Sequence, residues 1–340
     1  MLTRTRAAEG LVEEVLKQNL CVGCGACLIH CPYFKRHKGR ISPIDQCNLP
    51  EGECYNYCTR THMDLDAINQ KIFGLPYGSS ELGVVRDVFM AQSADSAIHS
   101  RGQDGGVITT LLITAMEEGL IDVAVLTKMS GDKSPGGFLA QNREEVLQGA
   151  GNSYELGFAL EAFDLIPRGS DQKVGMVGLP CQVQALSKMK LNPPLNKVNV
   201  RNVKLVLGLF CGWAFSPREF HQFLGESTDL SQVIKFDIPH HPADTFDIYS
   251  ELGVRSFKLD QVRRFINPSC SYCLDMTSEF ADVSVGSGRR VLGWNTVVVR
   301  SETGAALVEL AKKKGMLVTQ PLPEDSLSHL KKASMNKKKR

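Results

Sequence analysis

The sequence has no apolar stretch long enough to cross a bilayer and no excess of charge of either sign. Its longest apolar run, Leu205 to Phe215, is far shorter than the roughly 20 residues of a membrane helix, and Lys204 and Arg218 stand close to its ends. A direct membrane span is therefore excluded, and any membrane contact is borrowed from a partner. Basic and acidic residues number 39 and 37, a formal net charge of +2, so no global basic field draws nucleic acid to the chain. Met1 to Glu14 carries Arg4 and Arg6, then turns acidic, and lacks the apolar core of a secretory signal, which leads us to expect a cytoplasmic protein. There is no tandem repeat, no G-x-G-x-x-G fingerprint and no Ser-His-Asp or Cys-His nucleophile motif, so hydrolysis is not expected. His240 and His241 adjoin Pro242, point in different directions and have no nearby cysteine, and read as solvated loop residues. With 43% hydrophobic and 22% charged residues over 340 positions, the composition is that of an ordinary globular chain of about two domains.

What the sequence does have is cysteine. Of 11 cysteines, seven lie between Cys21 and Cys58 and four between Cys181 and Cys273. An odd number in a cytoplasmic chain points to metal ligation or redox chemistry rather than a disulfide framework. Cys21, Cys24, Cys27 and Cys31, followed by Pro32, give C-x2-C-x2-C-x3-C-P, the run of bacterial-type ferredoxins. In that run three thiolates wrap one iron–sulfur cube and the fourth reaches its neighbour. A structural zinc site would instead close four thiolates on one ion, spaced as two separated pairs. Gly23, Gly25 and Ala26 leave the backbone free to bend and to aim N–H groups at sulfur.

The second run, Cys47, Cys54 and Cys58, is degenerate: C-x6-C-x3-C lacks a middle cysteine and has Thr59 where proline would follow. Under the usual crossover Cys21, Cys24, Cys27 and Cys58 hold one 4Fe-4S cluster, and Cys31, Cys47 and Cys54 remain for another. That second cluster is a 3Fe-4S centre, a 4Fe-4S centre completed by an oxygen of Asp45, Glu51 or Glu53, or absent.

The pattern along the chain predicts a helix over Ala8 to Asn19, then a cysteine-rich stretch to about Met63 with little to bury, which metal must order. Gly74 to Gly83 reads as a linker. We therefore expect a small ferredoxin-like iron–sulfur domain over residues 1–75, an α/β domain over 84–325 and a basic, solvated, frayed tail over 326–340. Strands are predicted at Val84 to Ala91, Ile121 to Thr127, Lys173 to Val177 and Val203 to Phe210. Helices are predicted at Gly106 to Glu118, Gln182 to Lys190 and Pro217 to Gly225. This alternation implies βαβ units and a mixed, largely parallel sheet. Further strands at Val233 to Ile238, Phe246 to Ser250, Val254 to Lys258, Asp282 to Gly286 and Thr296 to Arg300 include antiparallel ones, because their connections are short. A last helix is expected over Gly304 to Lys314.

Of the later cysteines, Cys270 and Cys273 in CSYC read as half of a metal site. Cys181 and Cys211 each follow an apolar strand, and from spacing alone they are either ligands or small buried hydrophobes. The segments RGQDGGVITTLL (Arg101 to Leu112), VGLPCQVQAL (Val177 to Leu186), GLFCGW (Gly208 to Trp213), CSYCLD (Cys270 to Asp275) and ADVSVGSGRRVLGWNTVVVR (Ala281 to Arg300) resemble, in order, the signature segments of the coenzyme F420 hydrogenase and dehydrogenase beta subunit family. The resemblance runs from about Val84 to the end of the final helix.

It implies an FAD-bearing α/β domain with its own 4Fe-4S cluster on Cys181, Cys211, Cys270 and Cys273. In that reading FAD accepts a hydride, with reduced coenzyme F420 as the expected donor, and electrons pass singly to the clusters and on to a partner redox subunit or ferredoxin in a hetero-oligomeric complex. The rivals are a ferredoxin-dependent reductase of an organic substrate and a non-catalytic electron-transfer subunit. For the flavin site, Gln103, Asp104, Gly105 and Gly106 open a predicted helix, where unpaired N–H groups favour a phosphate or the flavin edge. Gly286, Ser287 and Gly288 form a second turn leading to Arg289 and Arg290, either a pyrophosphate clamp or a tight turn with two solvated arginines. Asn152, Ser153 and Tyr154 supply a short polar segment near the cofactor.

Overall fold

The computed structural model describes residues 7–37, 39–78, 80–129, 135–193, 200–225, 232–239, 242–288 and 291–340. The strands are β1 (Phe34–His37), β2 (Arg40–Pro43), β3 (Asp87–Ser93), β4 (Val123–Met129), β5 (Pro135–Ala140), β6 (Val174–Gly178), β7 (Val203–Leu209), β8 (Val233–Asp237), β9 (Thr245–Ser250), β10 (Gly253–Lys258), β11 (Val283–Ser287), β12 (Asn295–Val299) and β13 (Leu317–Pro321). Eight of them form one sheet in the order β13-β3-β12-β11-β7-β6-β4-β5, while β8, β9 and β10 make a separate antiparallel sheet and β1 and β2 a hairpin.

The large sheet is mixed rather than largely parallel. Only β11 with β7, β7 with β6 and β6 with β4 run parallel; the four remaining pairings are antiparallel. For strands that follow one another in the chain, connection length decides the direction. Between β6 and β7 the chain has room for the helix Pro180–Leu191, a crossover that returns the next strand parallel, whereas β11 and β12 are joined by a short turn and must reverse.

Alternating residues of the central strands face two different cores. Val123, Val125, Val174, Met176 and Val206 pack with the helix Pro180–Leu191 on one face. On the other, Ala124, Leu126, Leu205 and Leu207 pack with Leu111 and Leu112 of the helix Val107–Glu117 and with Leu307 and Val308 of the helix Glu302–Lys313. The first core also contains Val22, Ile29, Tyr57 and Ile68, so the stretch preceding the Gly74 to Gly83 linker lies against the sheet rather than apart from it.

The opening helix begins as an α-turn, Ala8–Leu11, and widens to a π-helical turn over Val12–Leu16, with Lys17 N donating to Val12 O at 2.9 Å. The tail expected to fray is a helix, Glu324–Lys338. Its buried stripe is Leu330, Ser334 and Lys337, at helical spacing but with one apolar member, so it does not read as a periodic apolar face. Ser334 Oγ donates to Glu81 O at 2.6 Å, and Lys338 Nζ donates to Ser80 O at 2.8 Å and pairs with the buried Glu279. The helix thus holds the linker. Among the described residues no helix is long and apolar enough to cross a membrane.

Candidate redox centre

Cys181 and Cys211 stand just beyond the C-terminal ends of β6 and β7, adjacent parallel strands, at the edge where open α/β sheets present ligand sites. Cys181 occupies the first turn of the helix Pro180–Leu191. Pro180 presets that turn, and Gln182 Oε1 accepts from Leu179 N at 2.8 Å. The helix N-terminus favours a thiolate there. Cys211 N donates to Met276 O at 2.8 Å, which draws the end of β7 to the loop carrying Cys270 and Cys273. Asp275, buried after CSYC, shapes that loop by accepting from Thr277 N and Glu279 N, both at 3.0 Å.

The 11 cysteines, all free, fall into three neighbourhoods that show in how they repel one another as thiolates. Burial, with the neighbouring Cys58 adding to it, pushes the Cys21 thiol up to about 11 and Cys24 up to about 12. Cys27 is raised well above the ordinary value by burial, then by Cys21, Cys24 and Cys58. Burial raises Cys54 to about 12, and its next contribution comes from Cys31, with Cys47 behind. Burial raises Cys181 well above its ordinary value, with Cys273 and Cys211 adding to it, and Cys270 and Cys273 act on Cys211. Two links join the sets: Cys24 acts on Cys181 and Cys54 on Cys27.

Hydrogen bonds repeat the first link. Asn267 Nδ2, from the turn before Cys270, donates to Cys21 O at 3.2 Å, and Leu160 N donates to Cys24 O at 3.1 Å. Gly25 makes the close approach possible, since its φ is +88° and a Cβ there would stand 2.9 Å from Glu161 N.

Among the described residues no three or more His, Cys, Asp or Glu side chains converge as ligands of a single metal ion do. A zinc ion would draw four thiolates to about 2.3 Å from one point. An iron–sulfur cube holds each thiolate on its own corner iron and so keeps them further apart. All-sulfur neighbourhoods, with N–H donors aimed at Sγ from Gly23 to Cys21 and from Arg60 to Cys58, both at 3.4 Å, fit such a cluster.

The flavin candidates gather around one residue that the sequence did not single out. Asn295 opens β12; its Oδ1 accepts from Val107 N at 3.3 Å and its Nδ2 donates to Gly286 O at 3.1 Å, tying the Gln103 to Gly106 turn to the Gly286 to Gly288 turn. The glycines serve this packing. A Cβ on Gly105 would lie 2.7 Å from Ala91 O, and one on Gly288 would lie 2.3 Å from Trp294 O. Gln103 Nε2 donates to the Tyr154 hydroxyl at 2.9 Å and also bonds Asp237. Tyr154 has a positive φ, and burial raises its phenol pKa. Asn152 Oδ1 accepts from Tyr154 N at 2.8 Å and Ser153 Oγ from Glu155 N at 3.4 Å, bracing the segment; Ser287 is exposed and Asp104 half-buried. Polar groups beside the N-terminus of the helix Val107–Glu117 fit a phosphate-bearing flavin. Arg289, Arg290, His240 and His241 lie outside the described residues.

Sequence spacing also gave no notice of three cations beside the cysteines. Lys188, buried and with its pKa lowered by desolvation to about 8, donates to Cys58 O at 2.6 Å. Lys337 donates to Cys211 O at 2.7 Å, and Arg60 donates to Tyr272 O at 3.3 Å.

Two family models match this chain. Residues 88–163 match the N-terminal part, and residues 171–325 the C-terminal part, of the coenzyme F420 hydrogenase/dehydrogenase beta subunit. The chain is 34% identical to the coenzyme F420 hydrogenase subunit beta of Methanosarcina barkeri over 245 residues, 69% of this chain and 81% of that one. It is 28% identical to the coenzyme F420-dependent sulfite reductase of Methanocaldococcus jannaschii, covering 95% of this chain and 52% of the relative. Among solved structures, a chain of the F420-reducing NiFe hydrogenase complex of Methanosarcina barkeri superposes with a TM-score of 0.69 at 32% identity, covering 78% of this chain and 92% of that one.

Proposed function

Because the chain belongs to the coenzyme F420 hydrogenase/dehydrogenase beta subunit family, we propose that it exchanges electrons with coenzyme F420 through FAD and iron–sulfur clusters on behalf of a partner subunit or ferredoxin. When bound, FAD would take two electrons as a hydride and the clusters would carry them off singly. Cys181, Cys211, Cys270 and Cys273 would hold one cluster, and Cys21, Cys24, Cys27 and Cys58 another. Cys31, Cys47 and Cys54 would hold a third, in a ferredoxin-like module.

Gln103, Asn152, Ser153 and Tyr154 orient the isoalloxazine edge, while the turns at Gly105 and Gly106 and at Gly286 to Gly288, with Arg289 and Arg290, bind the phosphate end. No side chain need act as acid or base in the main step, so the residues bind, orient and tune potentials. The observation that carries the reading is the interleaving of the three cysteine sets, with Cys24 beside Cys181 and Cys54 beside Cys27. A relative in which the matching stretch is about half of a sulfite reductase supports a role as the electron-supplying part of a larger assembly.

The test is a visible spectrum of the chain purified anaerobically and restored with FAD, iron and sulfide, recorded on adding reduced coenzyme F420, with NADH and reduced ferredoxin in parallel. Bleaching of flavin and clusters by the deazaflavin supports the reading. Bleaching by reduced ferredoxin alone replaces it with a ferredoxin-fed reductase, and a chain that binds no flavin with a relay subunit.

A further inference from the structure

Arg60 touches two cysteine sets at once. Its backbone N donates to Cys58 Sγ at 3.4 Å, and its Nη1 donates to the carbonyl of Tyr272, between Cys270 and Cys273, at 3.3 Å. Its other side-chain nitrogens, Nε and Nη2, are buried and have no hydrogen-bond partner, and among the described residues no carboxylate pairs with it. A guanidinium cannot shed its charge by deprotonation, and two buried nitrogens whose N–H groups lack partners are costly, so an anionic acceptor belongs beside them. Cysteines of both sets, Cys21, Cys24 and Cys58 on one side and Cys181 and Cys270 on the other, lie within reach of its charge.

We propose, building on the cluster reading above, that Arg60 is a positioning residue shared by two redox centres, its guanidinium donating to cluster sulfur and holding the potentials of both clusters up together. A fixed positive charge favours the reduced, more negative state of each cluster it faces. Because one charge faces both, it also screens the repulsion between two adjacent anionic clusters. The cysteine electrostatics agree: Arg60 counters the upward shift of Cys21, Cys24 and Cys58 in one set and of Cys181 and Cys270 in the other. Each set has a second cation of its own, Lys188 beside Cys58 and Lys337 beside Cys211. No cation is among the groups acting on Cys54. The structure thus assigns a shared countercharge to the two inner sets.

The test is an EPR-monitored redox titration of the full chain loaded with iron and sulfide. In Arg60→Gln both inner clusters shift down while the outer one stays. At each wild-type midpoint the reduced-to-oxidised ratio falls about tenfold, which for a one-electron couple is about 59 mV. Arg60→Lys keeps the charge and holds both potentials near wild type, and Lys337→Gln lowers the cluster on Cys181, Cys211, Cys270 and Cys273 alone. Unchanged potentials in Arg60→Gln, a shift in one inner cluster only, or Arg60→Lys behaving as Arg60→Gln overturns the proposal. If Arg60→Gln takes up no iron, the other two variants decide it: a lowered potential in Arg60→Lys, or an unmoved one in Lys337→Gln, overturns it. A wild-type chain that takes up no clusters overturns the underlying reading instead, before any variant is compared.

Discussion

Cys181 and Cys211 stand at the ends of parallel strands embedded in a two-faced core, whereas Cys31, Cys47 and Cys54 stand in a stretch whose regular structure is a short hairpin and two brief helical turns. The sheet positions its cysteines through packing that exists before any metal arrives. The outer three pack in a small core with Leu11, Val15, Phe34, Ile41 and Phe158 and beside Cys21, Cys27 and Cys58. Burial orders the first region, and on the proposed reading bound iron would add to the small core of the second. The Cys21, Cys24, Cys27 and Cys58 set is intermediate, since Val22 and Ala26 join the sheet-side core while Cys27 and Cys58 pack in the small one.

The largest expected effect breaks that comparison open. Removing iron with a chelator under anaerobic conditions should strip hydrogen-exchange protection from Cys31 to Cys58 while β6 and β7 keep theirs; equal loss in both regions would contradict a sheet that stands without metal. Next, Cys54→Ser should cost the chain roughly three or four iron atoms and leave flavin reduction by reduced coenzyme F420 intact, while Cys181→Ser costs roughly four and cuts flavin off from the remaining clusters. Iron analysis with stopped-flow bleaching separates the two.

Arg300, buried in full, ties the end of the linker to the loop after Cys273: its Nη1 donates to Val84 O at 2.8 Å and also bonds Leu82 O, and its Nη2 donates to Thr277 O at 3.0 Å. Burial lowers its pKa to about 10, opposed by Glu279 and Asp275. Arg300→Met leaves the buried Leu82, Val84 and Thr277 oxygens without their donor and should destabilise the fold by about 3–5 kcal/mol in urea titration. A loss well under about 1 kcal/mol would show the linker held without it.

The smallest effect is in pH dependence. Glu155 is buried 2.7 Å from His221, and burial raises its carboxyl pKa above the ordinary 4.5 despite the imidazole. The folded state therefore keeps this proton to higher pH than the unfolded state, so its contribution is full below about 4.5 and is lost as pH rises through the folded value. Melting temperatures of Glu155→Gln should lack that decline.

Much of the sheet was legible because buried strands announce themselves as apolar runs: Val203–Leu209 and Val174–Gly178 lie close to their predicted bounds. What escaped had local chemistry that argued against it. The strand Pro135–Ala140 begins Pro-Gly-Gly, and Leu317–Pro321 is an edge strand ending in proline, so neither carries a β signal. The helix Glu324–Lys338 hides its buried face behind a serine and a lysine. The family resemblance, not spacing, joined Cys181 and Cys211 to Cys270 and Cys273, and Asn295, Arg60, Lys188 and Lys337 act across long chain separations that no local pattern encodes.

The most direct measurement is Mössbauer spectroscopy, with iron and acid-labile sulfide analysis, on the chain reconstituted with 57Fe. Three cysteine sets in line predict cubane iron–sulfur signals from roughly eight iron atoms on the two complete sets and three or four more on Cys31, Cys47 and Cys54. Mononuclear sites, or a chain that retains no sulfide-bridged iron, would contradict it.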